Sequence, residues 1–149
     1  MGRELKAVRE ATIADINTIL DIQKGDGYGH AYYLTSKRIG DLFSKGQKFY
    51  LAELDTKPVG FACADFDVRT WIHFFSVSKV FQNKGVGSIL LEKIINESKA
   101  RNINLAYFIS EKEASTMENF LKKHGFEEAG FHKDRFGPKR DGKVWNFKI

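Results

Sequence analysis

The chain of 149 residues carries a formal charge of +5, with hydrophobic residues at 42% and aromatics at 13%. That length holds one domain (1–149) rather than two, and the apolar content excludes a disordered chain. The positive excess suits a polyanion such as nucleic acid, a membrane surface or a phosphorylated cofactor, yet no run of five like charges occurs, so a solvated lysine-rich surface explains it equally well.

In chain order, Leu5-Lys-Ala-Val-Arg9 alternates like a first strand. Thr12 offers a helix N-cap with Asp15 three residues on, and Ile13, Ile16, Ile19 and Leu20 form a helical stripe. Lys24-Gly-Asp-Gly-Tyr-Gly29 is a loop, and Tyr32 to Phe43 is expected as a short helix ending at Gly46. Three strands follow: 48–54, 59–66 and 70–77. The last is dense in β-branched and aromatic residues, and short connections make the three an antiparallel meander. Cys63 stands alone in an apolar stretch and reads as a small core residue.

A glycine loop, Gln82-Asn-Lys-Gly-Val-Gly87, precedes a helix carrying Val86, Ile89, Leu90, Ile94 and Ile95. Asn104 to Ile109 reads as a buried strand. The next helix has two candidate starts, since Ser110 to Glu113 and Ser115 to Glu118 both match a capping box, and Gly125 closes it. Two last strands, near 128–133 and 143–149, flank a turn-rich segment. The order β α α β β β α β α β β makes one α+β domain.

The chemistry centres on Ser76-Val-Ser-Lys-Val-Phe-Gln-Asn-Lys-Gly-Val-Gly-Ser88. A helix start presents unpaired N–H groups and the positive end of the helix dipole, and glycines let a phosphate approach the backbone. Lys84 adds a charge. Gly-x-Gly before a helix is equally an ordinary turn; it is neither a P-loop nor a dinucleotide fingerprint.

The surrounding elements sharpen this. Gln-x-x-Gly-x-Gly between a strand ending in Val77 and an apolar helix resembles the acetyl-CoA loop of the GNAT acetyltransferase superfamily. The lead-in Val77 to Phe81 matches that family's Val-x-Pro-x-aromatic spacing, with Lys79 in place of Pro. Val8 to Ile16 resembles its first strand and helix, and Phe120-Leu-Lys-Lys-His-Gly-Phe126 its final helix and turn.

The resemblance implies a mixed, mostly antiparallel sheet flanked by helices, with a strand splay for acetyl-CoA as co-substrate. Backbone groups at Ser76, Val77 and Ser78 would pair with the pantetheine arm. Amides from Gln82, Asn83, Lys84, Gly85, Val86 and Gly87, with Ser88, would hold the pyrophosphate. The acceptor would be a primary amine on a small molecule or peptide, entering from the opposite side. Many relatives carry an Asn early in the last helix and a proton-donating Tyr four residues before the Gly; those positions here hold Ala114 and Leu121. Tyr28, Tyr32 or Tyr33 could replace the donor, and Ser115 or Thr116 the Asn.

For a general base the candidates are His73, placed on the same side as Val77 by alternation, and Glu111 and Glu113 after Ile109. Each has a plainer account as a packed histidine or a helix cap. His30, His124 and His132 lack metal-ligand spacing, so no metal site is expected; His124 reads as a helix C-terminal residue. The missing donor leaves a catalytically impaired acyl-CoA-binding sensor or interaction module as the alternative function. A nucleic-acid-binding role lacks a basic stripe or a recognised motif. The sequence shows no signal peptide or membrane span, so a cytoplasmic protein is expected. Its oligomeric state is open, a homodimer included.

Overall fold

The structure is a computed structural model describing residues 5–26, 34–111 and 115–149. Its described residues build one seven-stranded sheet in the order β1-β2-β3-β4-β5-β7-β6. The strands are β1 (Lys6–Glu10), β2 (Lys48–Leu54), β3 (Lys57–Phe66), β4 (Thr70–Val77), β5 (Leu105–Glu111), β6 (Glu127–His132) and β7 (Gly142–Lys148). Helices α1 (Ile16–Lys24), α2 (Ser36–Ser44), α3 (Val86–Ala100) and α4 (Ser115–Lys123) cover the sheet. Neighbouring strands are antiparallel except β4 and β5, whose connection is long enough to hold α3 as a crossover.

The central strands are apolar on both faces because both faces are covered. Phe49, Leu51, Phe61 and Cys63 pack with Ile19, Ile39 and Leu42 of α1 and α2; Tyr50, Ala52, Ala62 and Ala64 pack with Leu90 and Ile94 of α3. Burial pushes the Cys63 thiol pKa up, as expected of an inert core residue. Ahead of α1, the Thr12 N–H donates to Asp15 Oδ2 at 2.8 Å, and Arg9 holds the same carboxylate with two bonds of 2.9 Å.

Most strand boundaries shift from expectation by one or two residues, β3 beginning at Lys57, and two helix boundaries differ further. The second helix covers Ser36–Ser44, whereas Tyr32 and Tyr33 lie outside the described residues. The first candidate start of the last helix is not used: Ser110 and Glu111 continue β5, paired with Lys143 and Gly142 of β7. Ser110 Oγ also accepts a 3.0 Å bond from the buried Trp145 Nε1. Strand pairing outweighed the local capping signal. Gly125, at φ +88°, ends α4 as expected.

Two irregularities shape the centre of the sheet. Strands β4 and β5 pair only over Thr70–Ile72 and Ala106–Phe108, then separate, leaving a fork that opens from His73 and Ile109 onward. The β3–β4 register also slips: Cys63 lies opposite Phe74 and Ala64 opposite Ile72, so His73 is an extra, unpaired residue. That bulge reverses the alternation expected along β4. Ile72, Phe75 and Val77 pack toward α3, while Phe74 packs toward α1 and α2. His73 stacks on Trp71 with centroids 4.2 Å apart, on the face away from Val77. The placement of His73 beside Val77 is therefore corrected.

Candidate active site

The fork leads to the start of α3. Gly85 is the N-cap at φ +83° and Asn83 stands at φ +61°, two left-handed residues that turn the chain sharply into the helix. Among the described residues, the N–H groups of Asn83 through Ser88 make no backbone hydrogen bond. A helix of 15 residues thus offers a run of free donors at its positive end.

These donors open on a cleft of about 590 Å³. Of the residues expected to bind cofactor, Val77, Gln82, Asn83, Gly85, Gly87 and Ser88 line it. The facing wall is α4, through Thr116, Asn119, Phe120 and Lys123. Those four share one helical face, at spacings of three, four and seven. Thr116 was a candidate stand-in for the absent Asn; Asn119 was missed, although it belongs to this polar stripe. Ala114 lies outside the described residues, and Leu121, 2% exposed, belongs to the core beneath the cleft.

Other expected contacts are redirected. The Ser78 N–H donates to Val59 O at 2.9 Å, so the main-chain groups of Ser78 and, by alternation, Ser76 point to β3. Only Phe75 and Val77 turn theirs toward the gap. The Ser76 side chain is buried and donates to Asp26 Oδ2 at 3.0 Å. Gln82 acts as a strut: its Nε2 donates to the carbonyls of Asp26 and Val77, both at 3.0 Å, and its own N–H to Lys79 O at 3.3 Å. Val86 contributes its amide while its side chain fills the core. Its close seat needs Gly60, where a Cβ would lie 2.9 Å from Val86 Cγ1. Lys84 lies over the ring of Phe81, 5.7 Å from its centroid, with Lys57 at 5.1 Å. His124 does more than end α4. Its Nε2 meets Ser88 Oγ at 3.1 Å, its ring lies against Phe120, and burial and Lys123 lower its pKa.

The family model for the GNAT acetyltransferases matches residues 13–126. The chain belongs to this family. Solved structures of the same fold include the ribosomal-protein-S18-alanine N-acetyltransferase of Escherichia coli, at TM-score 0.86 and 16% identity over 97% of this chain and 94% of that one. Ard1 of Thermoplasma volcanium superposes at 0.84 with 19% identity, covering 97% of each chain. The PaiA N-acetyltransferase of Thermoplasma acidophilum, solved with coenzyme A, superposes at 0.81 with 14% identity over 97% of this chain and 99% of that one. No curated protein matches the chain in sequence. Among the described residues no helix is long and apolar enough to cross a membrane, and no cluster of metal-ligating side chains forms.

In this GNAT family member the other side of the fork holds His73. It is the first residue of β4 past the last pair with β5, and its Nε2 is buried without a partner. Burial lowers its pKa from 6.5 to about 4, helped by the charges of Arg135 and Arg38. Glu111 ends β5 and is ion-paired with Arg140; Glu113 and the tyrosines 28, 32 and 33 lie outside the described residues. Because His73 binds a proton more weakly folded than unfolded, its contribution to stability is intact above about pH 6.5 and falls as pH drops toward 4. Thermal melts from pH 7.5 to 4.5 should show this fall, and His73→Phe should make it shallower while keeping the ring stack.

Proposed function

We propose that the chain transfers an acetyl group from acetyl-CoA to a primary amine, on a small molecule or a peptide, by direct attack with both reactants bound. One observation carries the reading: the amides of Asn83 to Ser88 make no backbone hydrogen bond, and Asn83, Gly85, Gly87 and Ser88 line a cleft that also reaches Val77 at the fork. Amides so placed suit a diphosphate, and the gap-facing main chain of Phe75 and Val77 suits an extended amide-bearing arm. Acetyl-CoA would supply the acyl group as a thioester, its C–S bond breaking as the C–N bond forms and its thiolate leaving to take a proton from water. The chain's own part is chiefly positioning, which can lower a barrier by about 7–11 kcal/mol. His73, neutral at pH 7, accepts the proton that the amine nitrogen gives up as its new bond forms.

Leu121 favours a second reading. It is buried in the core and offers no proton donor to the cleft, which fits an acyl-CoA-binding sensor or interaction module. Calorimetric titration with CoA, then thiol release from acetyl-CoA over a panel of amines, separates the two. Binding with turnover is expected; binding without turnover would leave the sensor, and absence of binding would remove both.

A further inference from the structure

The face of the fork opposite the cleft is lined by aromatic rings and by arginines. Trp71 and Tyr107 stack across the last paired stretch of β4 and β5 at 5.1 Å, and His73 continues the stack. Arg135, from the β6–β7 connection, lies 5.6 Å over Trp71; Arg69 lies 5.3 Å over Tyr107. Arg38 is an exposed residue of α2, whose Ile39 and Leu42 pack in the same cluster as Phe74 of β4.

Arg38, Arg69 and Arg135 have no carboxylate partner among the described residues. Among the described residues, Asp65 stands opposite Trp71 in the β3–β4 register, and Glu111 is already ion-paired with Arg140. Among the described residues, Arg69 and Arg135 over this floor are therefore an excess of guanidinium groups without carboxylate partners. Such an excess repels a polycation. Arginine held over aromatic rings is also preorganised for the planar, two-pronged grip that a carboxylate accepts.

Resting on the acetyl-transfer reading above, we propose that the acceptor is an amine carrying a carboxylate. Arg135 and Arg38 grip the carboxylate over the Trp71–Tyr107 floor, which leaves the amino nitrogen beside His73 at the fork. A free amino acid and a peptide with an acidic residue next to its free N-terminus share this chemistry.

The test uses the full chain. Calorimetry first measures CoA binding, and initial rates of thiol release from acetyl-CoA are then measured with free glutamate, with a peptide whose free N-terminus is followed by acidic residues, with its lysine-substituted counterpart, and with spermidine. One of the carboxylate-bearing amines should exceed spermidine and the lysine peptide at least tenfold in kcat/KM, and which one does so identifies the source. Arg135→Glu and Arg38→Glu, both at exposed positions, should each raise KM for that acceptor at least tenfold, with a smaller effect on kcat and unchanged CoA affinity. Intact CoA binding combined with faster reaction of spermidine or the lysine peptide overturns the inference alone. So does failure of every carboxylate amine to react, or unchanged KM in both variants. Absence of CoA binding removes the transfer reading and this inference with it.

Discussion

Replacing Gly87 with valine should raise the dissociation constant for CoA at least a hundredfold, about 2.8 kcal/mol, in a calorimetric titration. A Cβ at this position would lie 3.1 Å from Phe120 Cε2 and 3.3 Å from Phe75 Cε1, rings on two sides of the same cleft. The valine methyls extend further still, so either the rings move into the cleft or α3 shifts and takes its free amides with it. Gly85 is a less clean target. Its φ of +83° means that any side chain strains the backbone as well as crowding Lys6 Nζ at 3.0 Å. Gly87 has no such conformational demand, so loss of binding there reports on space. If Gly87→Val bound CoA as tightly as the parent, phosphates would not be gripped at this helix start.

His73→Gln should lower kcat by about a hundredfold or more, in the range that proton transfer by a positioned side chain contributes, and leave CoA affinity untouched. The reasoning is geometric first. His73 is the extra residue of the bulge, stands where β4 and β5 part, and keeps a buried ring nitrogen with no hydrogen-bond partner. A polar atom left unmatched in a desolvated place is costly unless something uses it. With a pKa near 4 it is neutral throughout the physiological range, so it does not compete with the amine for a proton before attack. The rate should follow the free-amine fraction as pH rises from 6 to 9, with no histidine inflection. A decrease in kcat smaller than threefold would return His73 to the role of a packed ring.

Most of the architecture was legible because local and global signals agreed. The apolar stripe of α3, the apolar stretch of β3 around Cys63 and the glycine that ends α4 each point to the element that formed. The glycine loop was legible too, since free donors at a helix start follow from sequence order alone. The bulge was not. A run of β-branched and aromatic residues from Thr70 to Phe75 satisfies strand propensity in either register, and only pairing with Cys63 and Ala64 decides where the extra residue falls. The end of β5 was hidden for a similar reason: Ser110 to Glu113 caps a helix as well as it continues a strand, until β7 supplies partners. The second wall of the cleft was missed because Asn119 and Lys123 are ordinary surface residues on α4 until that helix is set across from Gly87. Gln82 had its position in the loop read correctly, yet its side chain serves as a brace between two carbonyls, a contact that spans 56 positions of sequence.

The short pairing of β4 with β5 has a mechanical side. Three residue pairs join these strands, whereas every other neighbouring pair in the sheet shares five or more. The protein is thus two leaves sewn together with few backbone stitches, one leaf holding β1 to β4 and the other β5, β7 and β6. Side chains from beneath, Leu90 and Ile94 on one part and Phe108 and Trp145 on the other, supply most of the cohesion across that line. A molecule lodged in the gap adds the missing stitches, and so ties occupancy to the integrity of the whole sheet.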